Sequence, residues 1–285
     1  MEQVSGRFVH GLIGLLGFGW LLLSPGWAAE LALEFHGPLQ QGSLVIGQTE
    51  PGVEVFLDGR QLRISEDGLF LMGFGRDAKP EATLKLVFPD GAHEVRELEI
   101  AQRQYQIQRI EGLPPRKVTP RTEDLVRIRK EAALVRKARK RDDPRTDFLS
   151  GFIWPVQGAI SGVYGSQRIL NGQPRRPHYG IDIAAPTGTP VRAPSDGFVT
   201  LVHPDMFFSG GTLILDHGHG LSSAFLHLRR ILVKEGERVT QGEIIAEVGA
   251  TGRVTGAHLD WRINLFQTRL DPQLLVAPMP TAARE

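Results

Sequence analysis

Apolar and polar residues alternate singly along much of this chain, which is the two-residue period of half-buried strands. Leu31, Leu33 and Phe35 alternate, as do Val53, Val55 and Leu57 just before the turn signal Asp58-Gly59. Asp67-Gly68 and Asp90-Gly91 are two further turn signals. Short strands separated by such turns predict a small β-sandwich module over residues 29–112. Beyond residue 150 the strand pattern resumes at 181–183, 198–199, 212–215, 223–226, 244–248 and 259–263, with no long helix. That pattern predicts an antiparallel β-roll or sandwich. Between the two regions the period changes. Leu125, Ile128, Ala132, Val135 and Ala138 recur at helical spacing. Thr122 stands where a cap belongs, so the spacing predicts a helix over 122–141. The fold class is mainly β: an N-terminal β-sandwich, a linking helix and a C-terminal antiparallel β-roll.

Composition sharpens this outline at three places. The first thirty residues carry Arg7, then an apolar run from Gly11 to Leu23, then the breakers Ser24, Pro25 and Gly26. The run is shorter than the roughly 20 residues of a membrane span. Gly26 and Ala28 occupy the −3 and −1 positions of a small-residue cleavage site. Residues 1–28 therefore read as a cleaved signal peptide, which predicts export to the periplasm or cell envelope and no transmembrane span afterwards. The linker at 113–149 holds twelve Lys and Arg against six Asp and Glu. Its apolar stripe is expected to dock on a neighbouring domain with the charges solvated, although attraction to anionic wall polymers or lipid head groups fits the same residues, and the linker or N-terminal module could take envelope protein partners. The chain has no cysteine, which excludes disulfides, a thiol nucleophile and a lipidated N-terminal cysteine. A net charge of only +1 over 285 residues gives no argument for nucleic acid.

Two short constellations carry chemistry. In His178-Tyr-Gly-Ile-Asp182, a glycine and β-branched residues argue for a loop entering a strand. Ile181 and Ile183 then face the core while Asp182 faces the other way. In His258-Leu-Asp260, residues two apart on a strand share one face, with Leu259 and Trp261 opposite. Imidazole and carboxylate are what a catalytic zinc takes, three from the protein with one position left open. Such a site also needs a general base and an oxyanion stabiliser. His227, at the end of a predicted strand, is a free candidate.

These motifs, in this order, resemble the M23 family of zinc metallopeptidases, which includes lysostaphin-type endopeptidases. The likeness runs from about Trp154 to Leu275. It takes in Gly162-Val-Tyr-Gly165, Arg168, Ala185-Pro-Thr-Gly188, Asp196-Gly-Phe-Val199, Val233-Lys-Glu-Gly236, Val239-Thr-Gln-Gly242 and Thr251-Gly252. It implies an M23-like peptidase domain over residues 150–277, followed by a tail at 278–285. It implies Zn2+ held by His178 and Asp182, with His227 and His258 as base or transition-state stabiliser. The family's third ligand is a His, and here that position is Asp260. An Asp oxygen lies as many bonds from Cβ as a His δ nitrogen, so Asp260 is expected to ligate. Two carboxylates cancel the formal charge of the ion, and a less positive site acidifies water less.

The function implied is hydrolysis of the peptide cross-links of bacterial peptidoglycan. The alternative is a catalytically impaired relative that binds cell wall or activates an amidase. A biotinyl or lipoyl carrier is disfavoured, because no Lys sits at a hairpin tip between matched strands. His217-Gly-His219-Gly220 copies a His-x-His pattern but reads as a hairpin turn. His203 reads as a loop residue, and Met206-Phe-Phe208 fits either a cleft wall or a packed loop.

Overall fold

The computed structural model describes residues 33–110, 122–170 and 172–280, all within one compact unit, Ala32–Glu285. The expected signal peptide and its cleavage site lie outside these residues. The N-terminal half holds β1 (Glu34–His36), β2 (Leu44–Gln48), β3 (Glu54–Leu57), β4 (Arg60–Gln61), β5 (Leu69–Gly73), β6 (Glu81–Val87), β7 (His93–Glu99) and β8 (Ile107–Ile110). The first seven form two small sheets, β1-β2-β5 and β4-β3-β6-β7, while β8 joins strands of the C-terminal half. The three Asp-Gly signals sit between β3 and β4, before β5, and between β6 and β7. Alternation buries Val55, Leu57, Leu84 and Leu86 while their neighbours face out.

Helix α1 spans Asp124–Ala138. Its N-cap is Glu123, and no side chain caps the first turn, so the predicted Thr122 cap does not form. Asp124 in the first turn and Arg136 and Lys137 in the last complement the helix dipole. The apolar stripe docks as expected. Ala138 and Val135 pack on Leu201, Met206, Ile214, Ala224 and Leu226. Beyond the helix, Arg145 pairs with Asp143, Asp147 and Asp216, tying the connecting segment to the C-terminal sheet.

The C-terminal half contributes β9 (Ala159–Gly162), β10 (Gln167–Leu170), β11 (Gln173–Pro174), β12 (Ile181–Ala184), β13 (Pro190–Arg192), β14 (Gly197–Met206) and β15 (Gly210–Asp216). The remainder are β16 (Leu221–Leu228), β17 (Arg230–Ile231), β18 (Arg238–Val239), β19 (Ile244–Glu247), β20 (His258–Leu265) and β21 (Thr268–Leu270). The main sheet runs β18-β14-β15-β16-β20-β12-β9, with β21 added beside β20. Strands β13, β19 and β17 form a small second sheet. One face of the main sheet carries the large core: Ile181, Ile183, Phe225, Leu259, Trp261 and Ile263 are all fully buried in it. The opposite face carries the docked helix and, further along, the polar residues of β12 and β20. His203 falls within β14 rather than in a loop, and Met206 is buried beneath α1. Among the described residues no helix is long and apolar enough to cross a membrane.

The two halves share structure. Leu44 and Leu71 of the N-terminal sheet belong to the same buried cluster as Ile183 and Trp261. Strand β8 pairs in parallel with β10.

Candidate metal centre

Strands β12 and β20 pair antiparallel with Asp182 directly opposite Asp260 and Ala184 opposite His258. Like charges directly opposite on one face destabilise a strand pair unless a cation lies near them. His178 precedes β12 in a loop held by backbone bonds in both directions: its N–H donates to the Ser166 carbonyl, and its own carbonyl accepts from the Gly165 N–H. This anchoring brings the ring over the two carboxylates. Among the described residues, His178, Asp182 and Asp260 come together as three candidate ligands, with one ligand atom from each within 4.8 Å of the others.

The local chemistry fits a metal ion. His178 Nε2 and Asp182 Oδ1 lie 3.2 Å apart, yet both are buried atoms with no hydrogen-bond partner. With zinc–ligand bonds of about 2.0–2.1 Å, a tetrahedral edge measures about 3.3–3.4 Å. An imidazole nitrogen and a carboxylate oxygen left unpartnered at that separation suit an ion between them.

Two glycines make the room. A Cβ on Gly162, which faces Asp182 from β9, would sit 2.3 Å from Asp182 Oδ2. A Cβ on Gly180 would sit 2.6 Å from Asp260 Oδ1 and 2.6 Å from Arg262 Cγ.

The two remaining histidines flank the group. Their ring centroids are 4.9 Å apart, and His258 Nε2 is 3.7 Å from Asp182 Oδ1. His258 Nδ1 is 2.9 Å from the Gly256 carbonyl and His227 Nδ1 is 2.9 Å from the Thr251 carbonyl. A carbonyl only accepts, so each Nδ1 carries a hydrogen in these contacts, and the neutral ring keeps Nε2 as an acceptor. Burial pushes the His227 pKa below the usual histidine value, which keeps the ring neutral.

Strict alternation would turn His227 to the core side with Phe225. Instead the β15–β16 register shifts between Gly211 and Leu213, and His227 adopts a φ of 66°. A bulge of this kind re-aims a side chain, and a non-glycine residue at positive φ stores backbone strain, a recurrent feature of functional positions.

The decoy histidines stay apart. His217 is fully buried in the turn joining β15 and β16. Its Nδ1 donates to the Asp196 carbonyl at 2.6 Å and its Nε2 accepts from Ser223 Oγ at 2.7 Å, so neither nitrogen is free. Burial lowers its pKa to about 4. His219 packs edge-on against Phe148.

One residue that the sequence motifs passed over belongs here. Arg262 lies two residues beyond Asp260 on the same face of β20. Its Nε donates to Asp260 Oδ1 at 2.9 Å and its Nη2 to Oδ2 at 2.5 Å. Burial alone would raise the Asp260 pKa, but the Arg262 guanidinium holds that carboxyl below the usual range. The signal for Arg262 was the strand rule already used for His258 and Asp260, extended by two residues. A cavity of about 990 Å³ is lined by Tyr179 and Arg269 together with Arg76, Lys79, Asp77 and Glu81, and none of the candidate metal-site residues lines it.

Comparison with known proteins bears on the family of the segment that carries these residues. Residues 176–272 match the model of peptidase family M23. The chain is 43% identical over 89 residues to the peptidoglycan DD-endopeptidase ShyA of Vibrio cholerae, covering 30% of this chain and 20% of that protein. It is 44% identical over 108 residues to ShyB of the same organism, covering 37% and 24%. The matched part thus spans about a quarter or less of these curated relatives. A solved structure from Pseudomonas aeruginosa, assigned as a peptidase M23, superimposes with a TM-score of 0.65 at 29% identity, covering 83% of this chain and 94% of that one. Through the segment that holds His178, Asp182, His227, His258 and Asp260, the chain belongs to peptidase family M23.

Proposed function

We propose that this chain is an exported zinc metalloendopeptidase that hydrolyses peptide cross-links of bacterial peptidoglycan. The observation that carries the reading is the convergence of His178, Asp182 and Asp260, with unpartnered ligand atoms 3.2 Å apart and two oriented histidines beside them. Three protein ligands leave one tetrahedral position open, as a catalytic zinc site does. Zinc in such a site supplies Lewis acidity toward a carbonyl and a water. The remaining work falls to this chain's own side chains. His227 and His258 flank the site; one takes a proton on Nε2 from the attacking water and returns it to the leaving amine, and the other, as an imidazolium with hydrogens on both ring nitrogens, donates from Nε2 to the developing oxyanion. The neutral state of His227 suits a proton acceptor. ShyA and ShyB are named as peptidoglycan DD-endopeptidases, which supports the same substrate here. On this reading the protein works in the periplasm or cell envelope.

The test pairs metal analysis of the purified protein with digestion of purified peptidoglycan. One zinc per chain and release of cross-linked peptides as monomers is the expected result. Zinc in the site without cleavage would instead assign the chain to cell-wall binding or amidase activation.

A further inference from the structure

We infer that Asp260 and Arg262 act together as a single neutral ligand unit, in which Arg262 positions the carboxylate and restores the positive charge that a second acidic ligand removes. This rests on the zinc-site reading above. An ion of charge +2 held by His178, Asp182 and Asp260 alone would be formally neutral. Arg262 brings the cluster to +1, the value reached with two histidines and one aspartate. The electrostatic objection to an acidic third ligand is met within β20 itself.

The geometry is built for this pairing. Asp260 is 3% exposed and both of its oxygens accept from the one guanidinium. A carboxylate offers about four lone-pair sites, so two remain for an ion. The planar fork fixes the plane of the carboxylate as well as its position, which a point charge such as Lys cannot do. Gly180 leaves the space that both side chains fill, since a Cβ there would strike Asp260 Oδ1 and Arg262 Cγ together. Arg262 is itself only 23% exposed along its side chain, and Asp260 is the carboxylate it contacts directly. Removing either member therefore strands the other. Arg262 is a positioning residue whose effect depends on what stands at 260.

The test is a cycle of zinc affinities on the full chain, measured by competition with a chromophoric chelator at neutral pH. The proteins are wild type, Arg262→Gln, Asp260→His and the double variant. Arg262→Gln in the wild-type background should weaken zinc binding about 10–100-fold, the usual cost of losing a group that orients a ligand. Asp260→His should also weaken it, because an unpaired guanidinium is left beside the ion. In that background Arg262→Gln should reverse sign and tighten binding at least tenfold. Arg262→Lys should recover only part of the wild-type affinity. Equal effects of Arg262→Gln in both backgrounds would overturn the inference. No zinc bound by wild type would instead overturn the metal-site reading itself, and the inference with it. Circular dichroism of the metal-free variants checks folding. If Arg262→Gln alone does not fold, the comparison of Asp260→His with the double variant decides, and binding no tighter in the double variant refutes the pairing.

Discussion

Gly162→Ala should empty the metal site without touching any ligand. Gly162 ends β9 opposite Asp182, and its φ is not in the left-handed region, so the backbone accepts alanine. The obstacle is the Asp182 side chain. An added Cβ would lie 2.3 Å from Oδ2, 2.8 Å from Cγ and 3.1 Å from Cβ, where ordinary contact begins at 3.4 Å. The carboxylate must therefore retreat by about 1 Å, while a working site tolerates about 0.2 Å in its ligand distances. Asp182 is partly exposed, with 26% of its side chain accessible, so it can rotate toward solvent. Overpacking by one methyl costs about 1–3 kcal/mol, and losing a glycine from the unfolded chain returns about 0.4–1 kcal/mol. Metal-free stability should accordingly fall by no more than about 2.6 kcal/mol. Zinc affinity should fall at least about 100-fold, equivalent to about 2.8 kcal/mol. Gly256→Ala is the control, because a Cβ there meets nothing within 4 Å. Chelator competition gives the affinity, and a thermal melt in EDTA gives the fold. A folded Gly162→Ala protein with wild-type zinc affinity would show that Asp182 does not ligate in this position.

His227→Ala and His258→Ala should each retain zinc while turnover on peptidoglycan drops about 10²–10⁴-fold, the range for lost acid–base help; metal analysis that finds either variant empty would make that residue a ligand. The buried His217 should leave a mark on pH stability. Its folded pKa of about 4 lies below the ordinary 6.5, so the unfolded chain takes up the proton first as pH falls. The contribution is intact above about pH 6.5 and diminishes toward pH 4, by about 3 kcal/mol in all. Urea melts of metal-free protein at several pH values should show this decline in wild type and a flatter profile in His217→Asn. Identical profiles would mean that His217 is not held neutral by the Asp196 carbonyl and Ser223.

The sheet-face argument accounts for what was legible in the sequence. Alternation alone put Asp182 opposite in sense to Ile181 and Ile183, and put His258 with Asp260; both hold in the β12–β20 register. Glycines and their neighbours marked the turn that contains His217 and His219. The aim of His227 was not legible, since it depends on a register shift and a positive φ that no local pattern reports. Arg262 was legible in principle, but a charged residue on a strand reads as solvated until its partner is seen. The parallel pairing of β8 with β10 joins residues about sixty apart, and nothing in either segment names the other. The Thr122 cap failed for a simpler reason: the helix starts at Asp124 with Glu123 as its N-cap, one residue later than a Thr122 cap would place it.

The shared core has a consequence for how this protein comes apart. Leu44 and Leu71 sit in the same buried cluster as the residues beneath the metal group. Arg103 in the N-terminal half donates to the buried Asp271 carboxylate at 2.8 Å. Helix α1 seals Leu201, Ile214 and Leu226 on the opposite face. A fragment beginning near residue 150 would uncover apolar surface on both faces of the main sheet and favour self-association. The intact chain should melt in one calorimetric transition rather than two, with the metal raising the temperature of the whole. Damage to a loop in the first hundred residues is then felt at the ion, and loss of the ion is felt throughout the chain.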